Sequence, residues 1–160
     1  MLRSVAAADA TRPLVPVRGG FRLIEQDEST GSSQFNGLYL SARKRFSRSF
    51  AFDLAYTLST IENHTDDINF RPVDSRRAND ESGPSLNDRL HVLALNGHVR
   101  LPAEIDLMPI LFLSSGQPLN IVTGGDDNGD TIFNDRPAGV GRNTERTGGY
   151  SQLDLGLMRR

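Results

Sequence analysis

The chain has 160 residues, of which 37% are hydrophobic, with a formal net charge of −2 and no cysteine. That length fits one domain or a piece of something larger, and the apolar share is small for filling a large core. The charge lacks the basic excess that nucleic-acid phosphates call for, and the missing cysteines exclude disulfides and thiolate metal sites.

Residues 1–19 are small and proline-rich without a sustained period, so they read as an irregular N-terminal segment. Nothing in them forms the continuous apolar core of a signal peptide. Residues 20–160 read as the structured part. They open on a short strand candidate, FRLIE, followed by the polar loop QDESTGSS.

From Phe35 to Ile61 the chain alternates apolar and polar residues around a short turn at Ser47, Arg48 and Ser49. Leu38, Leu40, Ala42, Lys44 and Phe46 share one face of the first half, with Tyr39, Ser41, Arg43 and Arg45 on the other. In the second half Phe50, Phe52, Leu54, Tyr56 and Leu58 alternate with Ala51, Asp53, Ala55, Thr57 and Ser59. Successive side chains of a strand point to opposite faces, so this stretch predicts a β-hairpin with one apolar side. Spacing of 3.6 would scatter the same residues around a helix.

Residues 62–87 form a long polar segment, and alternation returns over Asp88–Leu101, with Leu93, Leu95, Val99 and Leu101 on one face and Asn96, His98 and Arg100 on the other. Pro102, Ala103 and Glu104 make a second short turn. A long strand over Ile105–Thr123 is expected, weakened by Pro109, because proline cannot donate to a ladder. A second polar loop covers 124–148. A last strand, Tyr150–Arg159, sets Leu153, Leu155 and Leu157 against Gln152, Asp154 and Gly156.

A soluble antiparallel sheet with one face on a core would show the same alternation. A secreted β-sandwich binding a ligand or Ca²⁺ through its loops is therefore the alternative. The connections decide between the two readings. They run short, long, short, long, the asymmetry of an outer-membrane barrel with tight turns on one side and long loops on the other. The expected fold is all-β, an antiparallel up-and-down meander of about five or six strands, forming a fragment of a transmembrane β-barrel. Its apolar faces should meet lipid and its polar faces should line the lumen.

Two clusters are candidates for binding. In the first long loop Asp66, Asp67, Arg71, Asp74, Arg76 and Arg77 could take part in ligand capture. In the second, Asp126, Asn128 and Asp130 stand at alternate positions, as oxygen ligands do in the first half of a Ca²⁺ loop. The bidentate acid of such a loop would fall at Pro137, so the full motif is absent, and an acidic turn without metal gives the same pattern. No catalytic residues are expected. Asp88, Arg89 and His91 lack an accompanying nucleophile and read as an ion pair or loop anchor. His64 and His98 show no metal spacing. The glycines at 139, 141, 148 and 149 form no phosphate loop.

Four blocks carry a family likeness: FNGLYLSARKRFSRSFAFDLAYTLS, GPSLNDRLHVLALNGHVRLP, SGQPLNIVTGGDDNGDTIFNDRP and GRNTERTGGYSQLDLGLMR. In this order they resemble TonB-dependent outer-membrane receptors, more narrowly the Oar-like transporters with a carboxypeptidase-regulatory-like domain. The resemblance covers the chain from about residue 20 onward. It implies a barrel of about 22 strands with an internal plug, energised by TonB and importing a bulky nutrient. A plug, a TonB box and a regulatory domain are missing from this sequence, so it reads as an internal piece of the barrel's C-terminal half, inactive in transport alone. The implied location is the outer membrane of a Gram-negative bacterium. The implied partners are outer-membrane lipid, the remaining barrel and plug, and TonB only through those other parts. No nucleic-acid partner and no cofactor are expected, Ca²⁺ apart.

Overall fold

The computed structural model describes residues 26–159. The irregular segment read over 1–19 and the strand read at FRLIE therefore lie outside the described residues. The chain divides into two compact units, one of 34–61, 86–118 and 146 onward, the other of residues up to 33, 62–85 and 119–145.

In chain order the strands are β1 (Ser33–Ser47), β2 (Phe50–Asn63), β3 (Gly83–Pro84), β4 (His91–Leu101), β5 (Ile105–Ser114), β6 (Pro118–Leu119), β7 (Glu145–Arg146) and β8 (Tyr150–Arg159). The main sheet has the order β1-β2-β4-β5-β8, with β3 beside the end of β2, and β6 pairs with β7 separately. The long strands thus follow one another as an antiparallel meander, as the alternation predicts. Among the described residues the sheet does not close. Strands β1 and β8 are its edges.

Register aligns the apolar faces of successive strands. Phe50 pairs with Val99, Leu54 with Leu95 and Tyr56 with Leu93. Leu93, Leu95 and Val99 pair onward with Leu113, Leu111 and Leu107. These in turn face Ser151, Leu153 and Leu157. One side of four strands is therefore almost wholly apolar, and it stays exposed: Leu153, Leu155 and Leu157 are 59%, 61% and 71% accessible. A contiguous apolar face of this kind needs a non-aqueous neighbour. Asp53, Asn96, His98, Arg100, Asp106, Gln152 and Asp154 share the other side by the same register. A shift of one residue in any pair would exchange the two sides, so the leucine rows pin the register. On β5 the second side also carries Met108, Ile110 and Phe112, which makes this strand apolar on both faces.

The structure revises five local readings. The first turn has two residues, Arg48 and Ser49, with φ of 51° and 74°, and Ser47 belongs to β1. Two positive φ values in succession match the twist of a two-residue hairpin. Strand β5 ends at Ser114, short of Thr123, and β4 begins at His91 after the buried Asp88. Phe46 leaves the face assigned to it: its ring lies 4.9 Å from that of His98, on the polar side. Arg43 bonds Asp53 on that same side, so strict alternation lapses between residues 43 and 46. Finally, Pro109 sits inside the sheet. The β4–β5 ladder runs from Asn96↔Ile110 to Val99↔Leu107 without pairing the residues between, while Pro109 keeps its partner Leu155 on β8. Gly97 stands opposite, where a Cβ would come within 2.8 Å of Pro109 Cγ.

The ring is tolerated because residue 97 has no side chain. Gly97→Ala should lower the stability of the refolded sheet by about 1–3 kcal/mol, the usual cost of overpacking. In a Pro109→Ala background the same change should cost much less. Urea unfolding in detergent micelles, followed by circular dichroism, measures both; equal penalties in the two backgrounds would dismiss the contact.

Candidate functional site in the long loops

Residues 62–85 and 119–145 contain eleven carboxylates and five arginines and few apolar side chains, so this unit cannot be held by a hydrophobic core. It is held by buried polar bonds instead. Their centre is Arg142, 2% exposed. Its Nε donates to the carbonyl of Glu81 at 2.7 Å, and one Nη reaches Asp66. The other Nη donates to the carbonyl and the side-chain oxygen of Asn63, and to the carbonyl of Gly83 at 3.2 Å. The guanidinium lies 5.6 Å from the Phe70 ring centre. Every nitrogen of the buried guanidinium is satisfied, as burial of a charge requires.

The first long loop wraps this cation with its own backbone. A 3₁₀ turn at Ala78–Glu81 aims the Glu81 carbonyl, and β3 aims that of Gly83. Gly83 is needed there, because a Cβ would lie 2.5 Å from the Arg142 carbonyl oxygen. Glu81 accepts from Val73 N–H at 2.8 Å and pairs with Arg136 at 2.8 Å. Asp66 accepts from Asn63, Ser85 and Asn143 besides Arg142. Further bonds tie the second loop to the first, from Asn128 to the carbonyl of Val73 at 2.7 Å and from Asn134 to that of Arg71 at 2.9 Å.

The six candidates of the first loop fall into different settings. Asp66 is turned into the Arg142 network. Asp67 caps a local turn by accepting from Asn69 N–H at 2.6 Å. Asp74 receives a two-pronged bond from Arg76, both contacts at 3.0 Å, and a third from Arg77 at 3.3 Å. Arg71, Arg76 and Arg77 lie at the surface of the unit, and so do Ile68 and Phe133, 90% and 68% exposed. In the second loop Asp126 accepts from the amides of Gly129, Asp130 and Thr131. Asn128 accepts from Asp130 N–H, and Asp130 from Ile132 N–H. The oxygens proposed for Ca²⁺ thus serve the turn's own backbone. Among the described residues no three His, Asp or Glu side chains gather as metal ligands.

The sheet unit carries its own polar sites. Asp88, 2% exposed, accepts from Ile61 N–H at 2.8 Å and pairs with Arg146, which also donates to the carbonyl of Gly116 at 3.2 Å. It is a loop anchor, as expected, but its cation is Arg146 rather than the adjacent Arg89, which donates to the carbonyl of Leu86. His98 and Arg100 approach the buried Asp106 at 3.3 and 3.7 Å. On the same polar side a concavity of about 530 Å³ is lined by Tyr39, Ser41, Arg43, Asp53 and Asn96 among others. Arg142 and Arg146 escaped the sequence reading. Their signal was the short polar blocks GRN and ER, which look like ordinary surface loop.

Truncating Arg142 would leave Asp66 and three carbonyls buried without their partner. Arg142→Ala should cost the loop unit about 3–5 kcal/mol, and Arg142→Lys should rescue little, because an ammonium cannot reproduce the fork. Limited proteolysis would report this as new cleavage within 62–85 and 119–145; unchanged protection would remove Arg142 from its central place. The second test is electrostatic. The Arg76 guanidinium holds the Asp74 carboxyl down from 3.8 to about 2. A depressed carboxyl stabilises at pH above its unfolded value, so this turn should hold until pH falls below about 4 and loosen toward about 2. Arg76→Gln should return the Asp74 titration, read by carbon NMR, toward its ordinary value.

The chain matches the family described as Outer membrane beta barrel domain over residues 2–154. No curated protein and no solved structure matches it. The match covers nearly the whole chain and agrees with an antiparallel meander that is apolar on one side and polar on the other. The protein belongs to the outer membrane beta barrel domain family, and its place is the outer membrane.

Proposed function

We propose that this chain is part of the barrel of an Oar-like, TonB-dependent receptor in a Gram-negative outer membrane, taking up a bulky nutrient. The observation that carries the reading is the pairing of two tight turns with two long connections that fold together around Arg142. Loops locked in this way form a preorganised surface, and preorganisation lowers the ordering cost of capturing a ligand. Their exposed side chains, Asp67, Arg71, Arg76, Arg77, Ile68 and Phe133, offer charge and apolar contact together. The polar side with Tyr39, Arg43, Asp53 and Asn96 would line the passage or meet a plug. Transport would need the remaining barrel, the plug and TonB, with lipid on the leucine face. The reading assigns no catalysis and no nucleic-acid partner. A soluble sandwich would bury the leucine face, and the exposure of Leu153, Leu155 and Leu157 speaks against it.

Uptake by a receptor carrying this segment should cease when the proton gradient across the inner membrane is collapsed. It should fall at least tenfold in ligand affinity, about 1.4 kcal/mol, when 62–85 and 124–148 are replaced by short turns. Uptake that survives de-energisation would exclude TonB dependence, and unaltered affinity would exclude the loops from capture.

A further inference from the structure

The end of the sheet that carries the tight turns is cationic. Lys44, Arg45 and Arg48 crowd the first hairpin, Arg100 is the last residue but one of β4 and Arg159 ends β8. Three carboxylates stand with them among the described residues, of which Asp53 is engaged by Arg43. Asp106 is buried beside His98 and Arg100, and Glu104 lies in the second turn. Among the described residues no hydrogen bond or ion pair engages the guanidinium of Arg45, Arg48 or Arg159, and all three side chains are exposed. The long connections carry the opposite sign, with eleven carboxylates against five arginines.

A second observation places this end at a lipid margin. Phe50, 40% exposed, stands at the turn end of the apolar face, and the Lys44 ammonium lies 3.7 Å from its ring centre. That ammonium is already used by the carbonyls of Ser47 and Phe50, so it fixes the margin rather than offering a free charge. Arg159 pairs with Ile105, on the same face and two residues further toward the turns than the level of Phe50. Long cationic side chains bordering an apolar face with an aromatic ring beside them are the form taken where hydrocarbon gives way to headgroups.

We propose that Arg45, Arg48 and Arg159 form a rim that binds the phosphate headgroups of anionic phospholipids in the leaflet on the tight-turn side. A guanidinium presents a planar fork that matches a phosphate in two-pronged contact. Each arginine near an anionic surface strengthens association roughly fivefold, so the three together contribute on the order of a hundredfold at low salt. The inference needs only the membrane barrel and is independent of any transport role.

The test is partition of the full chain, diluted from urea, onto phosphatidylcholine vesicles with and without phosphatidylglycerol. Binding to the anionic vesicles should be stronger, and high salt should remove the preference. Arg45→Gln, Arg48→Gln and Arg159→Gln combined should abolish most of it. Arg76→Gln with Arg77→Gln, two exposed loop arginines, should leave it intact. Equal partition on both vesicles, a preference that survives the triple variant, or an equal loss in the loop variant would each overturn the rim. No association with either vesicle would overturn it as well. Inorganic phosphate that competes as well as lipid would show a free-anion site instead.

Discussion

The loops depend on one buried cation. Arg142 offers donors in a rigid fork, and each must find an acceptor once water is excluded. The acceptors are mostly backbone carbonyls, at residues 63, 81 and 83, so the guanidinium dictates a path for the first loop rather than a set of side chains. The Asp66 carboxylate and the Asn63 side-chain oxygen then complete the shell. Ordering a residue costs about 1–2 kcal/mol of backbone entropy, and a polar loop has little apolar area to offset it. A connected network does so, since each bond in a low-dielectric interior strengthens its neighbours. The same setting makes every member indispensable.

The sheet obeys the reverse rule. There the apolar side chains lie outside and the charges pair on the other side, and the backbone ladder supplies the order. Within it, the Gly97–Pro109 contact shows how a proline survives in an interior strand. Ladder bonds lapse on the side of β4, where the ring meets a bare Cα, and pairing persists on the side of β8. Strand β5 tolerates this because both of its faces are apolar.

The strand faces were legible because leucine and phenylalanine at alternate positions have only one extended arrangement that keeps them together. Leu153, Leu155 and Leu157 needed nothing more. Pro109 was misleading because its tolerance comes from Gly97, and the pairing of those two residues depends on register rather than on local pattern. Phe46 was misassigned because alternation lapses just before it, which no periodicity reveals. The loop network was hidden for a different reason. A charge solvated by water and a charge solvated by carbonyls are the same letter, so Arg142 between Gly141 and Asn143 read as surface. Asp66 was noticed as a charge in a loop, without its partner.

The two bare edges of the sheet have a consequence of their own. Among the described residues, strands β1 and β8 each present a row of N–H and C=O groups with no strand beyond them. In hydrocarbon every such group left unmet costs several kcal/mol. The leucine face draws this sheet toward lipid, while its edges bar it from entering alone. Entry and pairing with further strands must therefore be a single concerted event. The energetic barrier to assembly then lies in joining edges rather than in folding hairpins.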